Sequence, residues 1–322
     1  DFEIHFAPLQ GYTDCVYRKV HAAIFGGVDT YYTPFLRVEN GGVRSKDLRD
    51  IVRSDNSPHN VIPQLIAANP DELSYLTDLV VKEGYNRVDI NMGCPFPKQT
   101  RLKRGARLLA FPEDAARLLT CIKDYPSVSF SVKLRHGWDD CSQFEEILAV
   151  LNDLPLTHVT LHPRLGIQQY KGQTDKDVFA RFYSLCRTPL YYNGDIGSVA
   201  EINELKERFP NLAGVMLGRG LLAYPWLASE WKQGETLPVN ERRTKLIGFH
   251  ERLLDAYTSR LEGGEHQLLS KMQTLWDYLL PDVIQAIFAP VAEHRLRNGY
   301  SSAMGNRNSF SRALLERVDP VR

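Results

Sequence analysis

Eight short runs of apolar, β-branched and aromatic residues recur along the chain, each separated from the next by a longer stretch. They are HFAPL (5–9), TYYTPF (30–35), VIPQLIA (61–67), RVDINM (87–92), SFSVKLR (129–135), HVTLH (158–162), LYYNG (190–194) and GVMLG (214–218). Runs of this length and composition read as strands. Between them lie amphipathic patterns, such as Glu72–Glu83, Pro112–Tyr125 and Val199–Phe209, that read as helices. Strand–helix alternation gives a parallel α/β fold. Eight repeats between His5 and Gly218 predict a closed (β/α)8 TIM barrel rather than an open sheet.

The pattern changes near Pro238. Leu246, Phe249, Leu253, Tyr257 and Leu261 follow helical spacing, as do Leu268, Met272, Leu275, Trp276 and Leu279. Two further helices are expected around Val283–Leu296 and Arg307–Val318. The reading is an all-α bundle over 238–322, joined through Gln233–Pro238 to a barrel domain over 1–235. With 43% hydrophobic residues the chain can fill a sizeable core, and no apolar run is long enough to cross a membrane. Five scattered cysteines without a CxxC pair argue against a disulfide framework and against a metal site. A reduced, cytoplasmic, monomeric enzyme is the expectation.

In a barrel of this kind the functional groups sit at the C-terminal ends of the strands, where the βα loops begin. Here those ends read Pro8, Gln64, Asn91, Lys133 with Arg135, His162, Asn193, and Gly218 with Arg219. A histidine after an apolar strand is commonly structural, but seven polar or backbone-exposing ends at one mouth point to a ligand. NGDIGS (193–198) and GRGLLA (218–223) place glycines at the last two strand-to-helix turns, a frequent phosphate position in barrels. Tight turns alone also account for those glycines. GRGLLA lacks the βαβ unit of a dinucleotide fold. Lys133 needs an anion, because an unpaired ammonium in a barrel mouth is costly. The N1–O2 edge of a reduced flavin suits it, with the Gln64 amide on the other ring edge. A salt bridge with Asp89 or Asp195 would satisfy the lysine equally.

The stretch INMGCPFPKQTRLKRGARLL (90–109) resembles the signature of the tRNA-dihydrouridine synthase family. FAPLQGYTDCVYR (6–18), SVKLRHGWD (131–139), HPRLGIQQYKG (162–172), NGDI and GVMLGRG resemble its other motifs in the same order, over residues 6–230. Leu9 departs from the family's usual Met, and Arg104-Gly105-Ala106 from its more glycine-rich turn. The resemblance implies an FMN enzyme, re-reduced by NADPH, acting on tRNA through Cys94 as catalytic acid. It places FMN against Pro8, Gln64, Lys133, His162, Asn193, Gly194, Asp195, Gly218 and Arg219. Asn91 and Arg135 would meet the base or the flavin edge, and the helical domain would bind tRNA.

The chemistry agrees with those residue types. Reduction of the uracil 5,6 bond needs a hydride at carbon 6 and a proton at carbon 5, and a thiol is mostly protonated at neutral pH. A uridine in folded tRNA must be extruded to reach a pocket. Five basic residues and no acidic one lie between Lys98 and Arg107. Of these, Lys98, Arg101 and Lys103 are candidates for the flanking phosphates, although a solvated loop explains the same run. The bundle carries twelve Lys/Arg against ten Asp/Glu, too even to argue binding. Two rival readings are an FMN barrel acting on a free pyrimidine, of dihydroorotate dehydrogenase type, and an RNA-binding barrel without turnover.

Overall fold

The structure is a computed structural model and describes residues 1–56, 60–142 and 144–279. The predicted helices around Val283–Leu296 and Arg307–Val318 lie outside the described residues. Nine parallel strands appear: β1 (Glu3–Phe6), β2 (Thr30–Tyr32), β3 (Val61–Ile62), β4 (Gln64–Leu65), β5 (Arg87–Met92), β6 (Ser129–Arg135), β7 (Leu156–His162), β8 (Leu190–Asn193) and β9 (Gly214–Leu217). They follow the eight sequence runs, with one of them broken in two. The third run is interrupted at Pro63, which has no N–H to give to a ladder.

The two halves of that run are the two ends of the sheet, which leaves the barrel nearly closed. Sheet order runs β3-β2-β1-β9-β8-β7-β6-β5-β4, so the two ends of the sheet are β3 and β4, separated in the chain by Pro63 alone. Helices Pro70–Lys82, Pro112–Thr120, Phe144–Asn152, Lys176–Leu185 and Val199–Arg208 link the strands. Asn69 caps the first of these through the Glu72 N–H, with Pro70 at the opening position, and Ser198 caps the last through the Glu201 N–H. Among the described residues no helix is long and apolar enough to cross a membrane.

The lower barrel interior is polar and aromatic. Glu3 receives hydrogen bonds from His5 Nε2 (2.9 Å) and from the Tyr191 hydroxyl (2.7 Å). Tyr32 links His5 Nδ1 (2.9 Å) to His158 Nε2 (2.8 Å). Hydrogen bonding from His5 first, then from Tyr191, holds the Glu3 carboxyl down to about 2 against burial, and burial holds His158 at about 3. Four strands thus contribute a fully partnered layer that forms a rigid floor.

By packing, the described residues divide into two compact units: those of 1–15 and 28–218, and those of 16–27 and 219–279. The second unit holds the helices Leu227–Gln233, Val239–Arg260 and Gly264–Trp276. In it Phe249 meets Tyr17, His21 and Phe25 edge-on, and His21 Nε2 bonds the Pro225 carbonyl at 2.9 Å. Arg242 donates twice to the buried Glu230 carboxylate, at 2.9 and 2.6 Å. Leu246, Phe249, Leu253, Tyr257, Leu268, Met272, Leu275 and Leu279 are buried, as their helical spacing predicts, whereas Leu261, just past the end of Val239–Arg260, and Trp276 are only half-buried.

Candidate active site

Cys94 lies in the turn that follows β5, and four contacts fix its backbone. The Asn91 side-chain oxygen accepts from Gly93 N (3.0 Å) and Cys94 N (2.9 Å). The Ala106 N–H donates to the Cys94 carbonyl at 3.0 Å, and Arg135 Nε donates to the Gly93 carbonyl at 2.9 Å. Gly105 passes directly beneath with φ +61, where an added Cβ would fall 2.6 Å from Cys94 O. The thiol is buried beside Phe35 and Ile66, and burial pushes its pKa up. It is therefore a protonated thiol at neutral pH and not a thiolate.

A hydrogen-bonded chain crosses the mouth beside it. Asn91 Nδ2 donates to Gln64 Oε1 at 2.8 Å, Gln64 Nε2 donates to Asp89 Oδ2 at 2.7 Å, and Ser131 Oγ donates to Asp89 Oδ1 at 2.6 Å. Strand register produces this arrangement, because Gln64 pairs with Asp89 and Asp89 with Ser131. Burial raises the Asp89 carboxyl to about 6, against hydrogen bonds from Ser131 and Gln64 and the charge of Lys133.

Lys133 stands between Asn91 and Thr160 in the ladder. Among the described residues its ammonium has no hydrogen-bond or ion-pair partner, so neither salt bridge open to it in sequence forms. Asp89 is taken by Gln64 and Ser131, and Asp195 by Arg164. Burial, helped by the charge of Arg135, lowers the lysine to about 8. Across the ladder the Thr160 hydroxyl is buried and also lacks a partner. These two groups, with the Gln64 and Asn91 amides, fit a polar, anionic heteroaromatic ring better than an apolar ligand.

The next strand ends are organised by Arg164, which sequence reasoning passed over. Its guanidinium donates to His162 Nε2 at 3.2 Å, to Asp195 through both nitrogens, and to the Gly172 carbonyl at 2.6 Å. A charged residue two places after a strand-end histidine was the available signal. Asn193 donates to the Met216 carbonyl at 2.7 Å. Gly194 has φ +150, and a Cβ there would strike Thr174 Cγ2 at 2.6 Å. Pro8 is half-buried in the loop after β1, Gly218 follows β9, and Arg219 opens a short helix of the second unit.

The basic loop is largely neutralised by its own surroundings. Lys98 pairs with Glu39 (2.9 Å), Lys103 with Asp114 (3.6 Å), and buried Arg104 with Glu72 (2.6 Å). Arg107 lies over the Phe111 and Trp138 rings. Only Arg101 of the five has a side chain that makes no hydrogen bond, ion pair or ring contact with a described residue. Arg135 is also committed. It spends Nε on Gly93 and Nη1 on the Leu165 carbonyl (2.8 Å), and so fastens the Cys94 turn to the loop after β7. Among the described residues no group of three or more His, Cys, Asp or Glu side chains is placed to hold a metal ion.

A parallel barrel whose mouth joins a protonated thiol, an unpartnered lysine and a chain of amides defines a class of ligand-binding (β/α)8 enzymes. Solved structures agree on the fold: the old yellow enzyme from Trypanosoma cruzi (TM-score 0.52, 13% identity, 78% of this chain and 94% of that one) and morphinone reductase (0.50, 10%, 74% and 88%). The family model for dihydrouridine synthase (Dus) matches residues 5–279, and the chain belongs to that family. Among its relatives are a probable tRNA-dihydrouridine synthase 1 of Synechocystis sp., 32% identical over 77% of this chain and 70% of its own length. Another is a tRNA-dihydrouridine synthase B of Pasteurella multocida, 27% identical over 70% and 67%.

Proposed function

We propose that this chain reduces the 5,6 double bond of a uridine in tRNA, with FMN as resident cofactor and NADPH as external reductant. Family membership and the relatives named tRNA-dihydrouridine synthase support the substrate. The observation that carries the mechanism is the buried, protonated Cys94 thiol, pinned beside the Asn91–Lys133 pair. When bound and reduced by NADPH, FMN would supply the hydride for carbon 6 of the base. Cys94 Sγ–H gives its proton to carbon 5, and solvent restores the thiol. Lys133 would hold the negative edge of the cofactor, with Gln64 and Asn91 oriented by the chain that ends on Asp89. His162, Asn193, Gly194, Pro8 and Gly218 would complete the cofactor's surroundings. Arg135 acts by positioning the Cys94 turn, and Asp195 by holding Arg164.

The test uses holoenzyme, NADPH and an unmodified tRNA transcript. Cys94→Ala should still bleach its flavin with NADPH, while dihydrouridine, read by mass spectrometry as a gain of two hydrogens, forms at least about a hundredfold more slowly. Wild-type product rates in that variant would overturn the acid assignment. Turnover of free pyrimidine but not of tRNA by the unmutated enzyme would overturn the substrate.

A further inference from the structure

We infer that Phe96 and Tyr170 form a stacking platform for an unpaired RNA base next to the uridine in the pocket, an inference that rests on tRNA being the substrate. Four of the ten exposed large hydrophobic side chains among the described residues, Phe96, Leu102, Ile167 and Tyr170, lie on two loops, those after β5 and β7. Both loops start at strand ends of the mouth. Phe96 is 49% exposed and Tyr170 41%, and their ring centroids lie 6.1 Å apart at an interplanar angle of 48°.

The pair spans the mouth between the two groups that flank it. Phe96 is two residues beyond Cys94, and the Tyr170 ring lies 6.4 Å from the His162 ring. The Arg135 guanidinium packs over the Tyr170 ring, 5.4 Å from its centroid. Exposed aromatics at a catalytic rim gain nothing from water and offer π-faces to a ligand. Extruding a uridine leaves its neighbours in the strand without a stacking partner, and an aromatic ring at the rim replaces that partner whatever the base.

Charge selects RNA over a protein for this surface. Arg101, the basic residue left uncommitted by its loop, adjoins exposed Leu102, and Lys98, 68% exposed but paired with Glu39, would have to exchange that carboxylate for a phosphate. A backbone phosphate beside a stacked base meets such cations directly. The cationic loop contributes less than its composition promises, so stacking carries more of the grip.

Binding is measured without NADPH, so that no turnover occurs, by anisotropy of an end-labelled, unmodified tRNA transcript with flavin-loaded enzyme. Phe96→Leu and Tyr170→Leu keep apolar bulk and remove the π-face, and each should raise the Kd on the order of tenfold. Tyr170→Phe should restore wild-type affinity. Tyr75→Leu, an equally exposed tyrosine on the helix Pro70–Lys82, should leave it unchanged. Unchanged affinity in both leucine variants, or an equal loss in Tyr75→Leu, would overturn the platform and give the patch to a protein partner. The activity is read separately as dihydrouridine formed with NADPH. Wild-type enzyme that binds tRNA through the pair but makes no product overturns the activity alone. Product formation with unaltered Kd values overturns the platform alone, and absence of tRNA binding overturns both.

Discussion

Arg164 Nη1 donates to His162 Nε2 across 3.2 Å, and this contact decides the protonation of the imidazole. A guanidinium has no acceptor, so Nε2 must present its lone pair. The ring is therefore neutral and carries its proton on Nδ1. Asp195 and the Gly172 carbonyl hold the guanidinium in place for this purpose. Nitrogen-15 spectra of the apoprotein at neutral pH should show His162 as the Nδ1–H tautomer. In Arg164→Met the same ring should lose that single tautomer. An Nε2–H pattern in the wild type would show that the contact does not form.

Much of this was legible in sequence, and the remainder has a physical reason. Each apolar run became strand because short β-branched and aromatic stretches bury well in a parallel sheet, and only Pro63 altered the count by withholding an N–H. Strand ends located the mouth. Pairing across the sheet was not legible: Asp195 is 31 residues from Arg164, and Asp89 is 25 from Gln64, so local pattern could not show which carboxylate served which partner. The same blindness made the loop from Lys98 to Arg107 look free, since Glu39, Glu72 and Asp114 lie on other segments.

Gly105→Ala tests how closely the Cys94 turn is held. The position has φ +61, and the new methyl would sit 2.6 Å from Cys94 O and 2.9 Å from Cys94 Cβ. Strain at such a site costs about 1–3 kcal/mol. The variant should melt earlier and form dihydrouridine more slowly, with flavin reduction by NADPH retained because the added methyl meets Cys94 and none of the residues proposed to hold the cofactor. Thermal denaturation and separate half-reaction rates check this. A normal product rate would mean that the thiol tolerates displacement.

Lys133 predicts a pH dependence of cofactor binding. Its ammonium is lowered to about 8 by burial and by the charge of Arg135, so the apoprotein loses this positive charge as pH rises through that value. FMN affinity, followed by quenching of flavin fluorescence, should weaken above pH of about 8, by about tenfold once the charge-assisted contact is lost. Lys133→Met should bind weakly and show no such inflection. A flat wild-type profile would place the lysine away from the cofactor.

Asp89 makes the opposite kind of group, a carboxyl whose native state favours the proton. Burial raises it from 3.8 to about 6, so between those values the folded chain holds more proton than the unfolded chain. Stability contributed by this group is thus fully present below about 3.8, falls as pH rises, and is lost above about 6. The shift corresponds to a cost on the order of 3 kcal/mol for the buried charge. Asp89→Asn can keep both contacts, its oxygen accepting from Gln64 and its amide donating to Ser131, while removing the titration. Denaturant unfolding of both proteins across this range should show the wild type losing stability relative to Asp89→Asn as pH increases. A constant difference between the two would mean that Asp89 titrates in the folded chain as it does in the unfolded one, the charge of Lys133 and the hydrogen bonds from Ser131 and Gln64 offsetting burial.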